Sequence, residues 1–252
     1  MPASSGLPWS CGYSAGALAL ERTAFAGLER LRLCYRAAMS RSAAAEALAE
    51  NGSMSLAAWA ALPEDESGEL VDGRIEEEEV AAPAHETVVA WLIYTVYAWL
   101  RPRGGLVLGS EAKFAVRPPS RGRKPDVSAF FPGRRMPSRA PVIEMPPDIA
   151  IEVVSPTPRD GRRDRIEKLA EYAAFGVRWY WIVDPAFHSF EVFELGADGR
   201  YAHTLGATEG EIDPVPGCEG LRLNLTELWA ELDRLGPEEQ ANPESGTGEP
   251  IL

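Results

Sequence analysis

The chain has 252 residues, 45% hydrophobic and 25% charged, with a formal net charge of -13 at pH 7. That length sets an expectation of one or two domains with a real core, and the acidic balance excludes a protein that coats nucleic acid by bulk charge. The three cysteines, Cys11, Cys34 and Cys218, are scattered and lack metal-ligand spacing, which excludes a disulfide framework and a zinc signature and points to a reducing, cytoplasmic setting.

Residues 1–53 are rich in Ala, Ser, Leu and Arg and read as an N-terminal extension, partly helical or disordered, with Gly27 and Ser40 interrupting the helical stretch. Met54-Ser55-Leu56 opens a better-formed segment, so Met54 is an alternative start. A transit peptide is opposed by Glu21, Glu29 and Glu46, and no basic start followed by an apolar core marks a secretory signal. The main domain is expected over residues 54–235, and the Pro-, Glu-, Gly- and Ser-rich tail 236–252 is expected to be disordered.

Within the domain, Ser55 caps a short helix that Pro63 stops. Glu69-Leu70-Val71-Asp72-Gly73-Arg74-Ile75 reads as a hairpin, because Asp-Gly accepts the positive φ such a turn needs. The run Glu76 to Glu79 reads as a solvated strand end. Thr87 to Leu100 predicts a helix apolar on nearly every side and therefore buried between layers. Its longest apolar run is shorter than the about 20 residues that span a bilayer, so no membrane partner is expected.

Strands follow at 106–108, 112–116 and 126–131, with a loop at 118–122. The Pro- and Arg-rich loop 132–147 is long enough to suggest substrate selection. Asp148 to Val154 reads as a central strand apolar on both faces except for one acid. After the stop at 155–158, a helix is predicted from about Arg162 to Phe175, closed by Gly176. Strands follow at 177–183 and 190–195, then a hairpin turn at Ala197-Asp198-Gly199-Arg200 and a short strand at 221–225, and Thr226 is the expected cap of a last helix. The order predicts an α/β (α+β) fold, a mixed central β-sheet flanked by helices.

Chemistry concentrates between Lys124 and Lys168. Asp126 opens its strand after Pro125, and aspartate is depleted in strands; the bland reading is a turn residue. Glu152 is harder to dismiss. Ile149, Ile151 and Val153 share one face, while Ala150, Glu152 and Val154 share the other, so the carboxylate is at least half buried and needs a cation. That cation is either an Arg or Lys partner or a bound metal, and the residues weigh the two equally. Lys168 lies beside the Leu169, Tyr172 and Phe175 side of its helix, with Asp164 one turn earlier. It is either a snorkelling surface lysine or a cation reaching Glu152. Two carboxylates of this kind hold Mg²⁺ (or Mn²⁺) through oxygen. Arg121, Arg123, Arg134 and Arg162 are candidates for phosphate contacts that read no sequence.

Pro125-Asp126, Ile151-Glu152-Val153-Val154-Ser155-Pro156, Asp164-Arg165 with Lys168 and Tyr172, and Gly176-Val177-Arg178-Trp179-Tyr180-Trp181-Ile182-Val183-Asp184-Pro185 together resemble the Uma-two-like family of bacterial proteins, which carry a restriction-endonuclease label within the PD-(D/E)XK superfamily. Glu69 to Gly73 and His85 match its usual opening. The resemblance implies a restriction-endonuclease-like αβββαβ core and a DNA substrate. It also implies Asp126, Glu152 and the Val153 backbone carbonyl as metal ligands, with Lys168 as the signature lysine. The superfamily pattern puts that lysine where Val154 stands, so Lys168 represents a move onto the next helix. His85, Glu86 and Tyr172 are accessory candidates, and a homodimer is expected by analogy with enzymes that cut both strands. A non-catalytic relative that binds nucleic acid or protein is the alternative; a paired-carboxylate glycosidase is a distant third.

Overall fold

The computed structural model describes residues 53–63, 68–76, 82–155 and 162–236. Expectations for residues 1–52, for the acidic run at 77–79, for the stop at 156–158 and for the tail 237–252 lie outside the described residues.

Ser55 accepts a hydrogen bond from Ala58 N–H at 3.2 Å and starts α1 (Leu56–Ala60). Trp59 of α1 is wholly buried, and its indole N–H donates to the Gly68 carbonyl at 3.0 Å. The hairpin β1 (Glu69–Val71) and β2 (Arg74–Glu76) turns through Asp72 and Gly73 at φ 48 and 76. Next, α2 (Pro83–Leu100) begins earlier than expected because Pro83 fits the first helical turn. This draws His85 and Glu86 into that turn. The helix is also less enclosed than its composition predicts. Val88, Leu92, Val96 and Leu100 are fully buried, but Tyr94 is 72% and Tyr97 48% exposed. An aromatic ring with a polar tip tolerates water, so counting apolar residues overstated the buried face.

Two sheets follow. β3 (Leu106–Gly109), β6 (Val127–Phe130), β7 (Ile149–Val153), β8 (Trp179–Asp184), β9 (Ser189–Leu195) and β10 (Tyr201–Ala207) form a six-stranded sheet in the order β10-β9-β8-β7-β6-β3. Only the β7–β8 pair is parallel; the other pairings are antiparallel. The smaller sheet runs β2-β1-β5-β4, with β4 (Phe114–Arg117) and β5 (Arg121–Arg123). β5 was expected to be loop. Arg-Gly-Arg has no strand preference of its own, and here ion pairs hold it. Gly122 is required because a Cβ there would lie 2.2 Å from the Trp59 ring.

The segment after residue 161 differs from a plain α-helix. Arg163–Lys168 is a π-helical stretch that passes into α3 (Leu169–Phe175), and Gly176 closes it at φ 92. π-turns widen the helix and recur at functional sites. A two-stranded ladder, β11 (Glu211–Ile212) and β12 (Leu223–Asn224), precedes α4 (Leu225–Leu232). Asn224, not Thr226, caps α4, accepting from Glu227 N–H at 3.1 Å. Thr226 Oγ1 accepts from Gly210 N–H instead.

α2 and α4 cover one face of the large sheet, with Ile149, Ile151, Val153, Trp179 and Trp181 in the shared core. Phe114, Ala150, Val154, Tyr172 and Tyr180 pack on the other face, against α3. No helix of the described residues is long and apolar enough to cross a membrane.

Candidate active site

β6 and β7 are antiparallel with Val127 opposite Ile151. Continuing that register sets Asp126 opposite Glu152, on the face away from α2, where cross-strand neighbours come within reach of one another. Asp126 Oδ2 accepts from Val153 N–H at 2.7 Å, which fixes the carboxylate at the C-terminal end of β7. Glu152 is 2% exposed. Lys168 Nζ donates to its Oε2 at 2.8 Å and Tyr172 O–H to its Oε1 at 2.6 Å. The strand acid therefore has both a lysine partner and a hydroxyl.

Asp126, Glu152 and Lys168 line one cleft of about 170 Å³ together with His85, Lys124 and Asp164. The structure thus brings the two acids, the lysine, the Val153 backbone and the first turn of α2 to one place. His85 Nε2 lies 3.4 Å from Asp126 Oδ2, and Nδ1 lies 3.3 Å from Glu86 Oε1. Burial would lower the imidazole pKa, but hydrogen bonds and charge from Asp126 and Glu86 raise it above the ordinary value. The π-turn aims both Asp164 and Lys168 inward; Tyr180 O–H donates to the Asp164 carbonyl at 2.9 Å and steadies that turn.

Lys168 Nζ also lies 3.4 Å from Glu69 Oε1 and 3.5 Å from Asp164 Oδ1. Burial opposes the ammonium, yet Glu152, Glu69 and Asp164 together hold its pKa far above the usual lysine range. The three acids do not share that charge equally. Burial pushes Glu69 up, but Lys168, Arg123 and the Lys124 N–H outweigh it and bring Glu69 down to about 2. Glu152 is pushed well up, first by burial and then by Asp126, Asp164 and Glu69, with Lys168 opposing. Asp164 is raised by burial against the pull of Lys168 and Arg163.

This imbalance bears on a divalent cation. Among the described residues the buried Asp164 Oδ1 has no hydrogen-bond partner. Burial raises the Glu152 and Asp164 carboxyls here, and apart from His85 the ligating side chains of the cleft offer oxygen, the donor type that suits Mg²⁺. No group of three or more His, Cys, Asp and Glu among the described residues could hold a metal. Asp126 and Glu152, with the Val153 carbonyl, are the groups that could hold such an ion, and waters would have to complete the shell, as Mg²⁺ commonly keeps them.

The arginines divide. Arg123 is fully buried, donating to Glu69 Oε2 at 2.7 Å and, through Nε, to Glu171 Oε2 at 2.6 Å. It does not face a phosphate, and that expectation is corrected: the β1–β5 register sets it opposite Glu69. Arg121 is likewise held by Asp72, at 2.6 and 2.9 Å, and by Glu171. Arg134 donates to Asp148 Oδ1 at 2.7 Å, at the end of β7 remote from Glu152. So the loop 132–147 leaves the sheet at the wrong end for the role expected of it. Only its Pro141 reaches a cavity of about 500 Å³ that shares Glu111 and Lys124 with the cleft. Arg162 is exposed at the start of the π-turn.

Sequence reasoning missed Asp164, which lines the cleft, and Glu69, which lies behind it against Lys168. The signal for Asp164 was its i, i+4 spacing from Lys168. Glu69 offered only an acid at the start of a strand.

A family model, Uma2, described as "Putative restriction endonuclease", matches residues 55–226. No curated protein matches the chain. Among solved structures, a protein from Anabaena variabilis described as a "putative nuclease belonging to DUF820" superposes with a TM-score of 0.58 at 20% identity, covering 71% of this chain and 99% of its own. At that identity the likeness speaks for the fold, a nuclease-like mixed sheet flanked by helices.

Proposed function

This chain belongs to the Uma2 family, and from that membership we propose that it is a Mg²⁺-dependent (or Mn²⁺-dependent) endonuclease that hydrolyses DNA phosphodiester bonds. The observation that carries the reading is the meeting of Asp126, Glu152 and Lys168 in one cleft, with Lys168 Nζ 2.8 Å from Glu152. Asp126, Glu152 and the Val153 carbonyl are the residues that would hold the ion. A bound ion of this kind supplies Lewis acidity toward a phosphoryl oxygen and a water of lowered pKa.

The chain's own groups do the rest. Val153 N–H holds Asp126 in one rotamer, and Tyr172 holds Glu152. Preorganised groups of this kind cost no reorientation during reaction. Lys168 stays protonated and presents a fixed positive charge beside Glu152, where it can steady negative charge on a phosphate or orient a water. His85, set against Asp126 and lining the same cleft, is placed to take or give a proton through one water. Arg162, exposed at the start of the π-turn, is the remaining one of the four arginine candidates for phosphate contact.

One observation favours a second reading, a nuclease-fold module that binds without cutting. The Glu152–Lys168–Tyr172 contacts satisfy one another, as a structural ion pair would. Incubating supercoiled plasmid with the protein and Mg²⁺ or Mn²⁺ separates the two. The endonuclease nicks the plasmid, stops on chelation, resumes when metal is restored, and loses activity in Asp126→Ala and Lys168→Ala. No nicking at any metal concentration, or equal nicking by all three proteins, leaves only the binding module.

A further inference from the structure

Lysine is rare in this chain. It occurs three times, as Lys113, Lys124 and Lys168, against 22 arginines. Lys124 and Lys168 line the cleft, and Lys113 lines the adjoining cavity with Lys124. An ammonium is a compact charge on a flexible stem, unlike the rigid guanidinium fork, and its position is set by what surrounds it. For Lys168 the surroundings are three carboxylates: Glu152, to which it donates at 2.8 Å, and Glu69 and Asp164 as ion-pair neighbours at 3.4 and 3.5 Å.

Glu69 is unlike the other two. It is 1% exposed, so its charge has no help from water. Its second oxygen accepts from Arg123 at 2.7 Å, and Arg123 is clamped in turn by Glu171. The oxygen nearest Lys168 also accepts from the main-chain N–H of Lys124 at 3.0 Å. Lys124 is two residues before Asp126, with the stiff Pro125 between them. One carboxylate thus ties the ammonium of Lys168 to the peptide that delivers Asp126. A buried acid in a three-residue strand is costly unless it is satisfied, and Glu69 accepts from Arg123 and the Lys124 N–H with the Lys168 ammonium beside it.

We propose that Glu69 is a positioning residue of the cleft, holding the ammonium that Lys168 donates to Glu152 in register with the Lys124-Pro125-Asp126 turn. Without Glu69 the ammonium loses the carboxylate that ties it to the Lys124 peptide, so its position beside Glu152 shifts and the Asp126 turn loses its anchor. Groups one shell from the chemistry act this way on both orientation and affinity. The kinetic part rests on the endonuclease reading; the placement of Lys168 does not.

The test uses the full chain and two variants, Glu69→Gln and Glu69→Asp, so that one remains if the other fails to fold. With ¹⁵Nζ-labelled lysine the protein gives three ammonium signals, one per lysine. The Lys168 signal shifts in both variants while that of Lys113, which donates to the Trp59 carbonyl at 2.8 Å, stays in place. In cleavage assays Glu69→Gln lowers kcat by about 10–100-fold with KM for DNA within about twofold, and Glu69→Asp recovers part of the loss. In a Lys168→Gln background, Glu69→Gln has little further effect, as expected for residues that act as a unit. An unshifted Lys168 signal, equal shifts of all three signals, or losses in kcat that multiply across the double variant overturn the proposal. If the wild-type protein does not cleave, the endonuclease reading fails and the lysine signals alone decide the role of Glu69.

Discussion

On the face of the large sheet covered by α2 and α4, β7 contributes Ile149, Ile151 and Val153 to a core of aliphatic and aromatic side chains. On the opposite face Ala150 and Val154 flank Glu152, and around it gather Lys168, Glu69, Asp164 and Asp126, with Tyr172 and Tyr180 alongside. The same strand serves both, one residue out of phase. The first face gains stability from burial that is insensitive to detail beyond size and shape. The second holds charges whose stability depends on every partner being present. A fold that kept only the first kind of face would be simpler to stabilise. The second is where chemistry is possible, and its acids outnumber the ammonium that balances them.

Removing Lys168 should strike hardest at this contrast. Lys168→Met leaves Glu152, Glu69 and Asp164 facing one another. It should cost about 3–5 kcal/mol in urea unfolding and lower cleavage by the folded fraction about 10²–10³-fold. A stable, active Lys168→Met protein would mean that the ion cluster is ornamental. The matching change on the apolar face is Leu92→Ala. Leu92 is wholly buried on α2, so unfolding should shift by about 2–5 kcal/mol, while cleavage per folded molecule stays within about twofold.

pH distinguishes the faces further. Glu69 in the folded protein lies at about 2 against 4.5 ordinarily. A carboxyl lowered on folding stabilises above its unfolded pKa, and that stability is lost as pH falls toward the folded value. Glu152 and Asp164 are raised, so ionising them works against the fold as pH rises. Urea midpoints at about pH 3, 5 and 7 should therefore show that Glu69→Gln flattens the acid limb. Glu152→Gln should instead weaken the penalty at higher pH. An unchanged acid limb in Glu69→Gln would remove Glu69 from the ion cluster. The smallest effect is expected at Arg162. Arg162→Ala should weaken DNA binding a few-fold and reduce the slope of log affinity against log salt by about 1; an unchanged slope would free Arg162 of any phosphate contact.

Much of the apolar face was legible in the sequence, because alternation along 148–154 and 177–183 assigns each side chain to a face. The burial of Glu152 followed from the same alternation. Lys168 was placed on the inner side by helical phase, and the exposed Ile166 at 61% agrees with that phase even though a π-turn intervenes. The arginines were not legible. Arg121 and Arg123 look like a basic patch in one dimension, but strand pairing brings Glu69, Glu171 and Asp72 against them. Nor does sequence alone place the loop that carries Arg134, and this candidate for phosphate contact is held by Asp148 at the far end of β7 from Glu152.

Anomalous diffraction from crystals grown with Mn²⁺ tests the central claim most directly, because manganese can be located without reference to activity. The account predicts one anomalous peak bound by the Asp126 and Glu152 carboxylates and the Val153 carbonyl, absent in Asp126→Asn. A cleft that stays empty at saturating Mn²⁺, or a peak held by other residues, would contradict it.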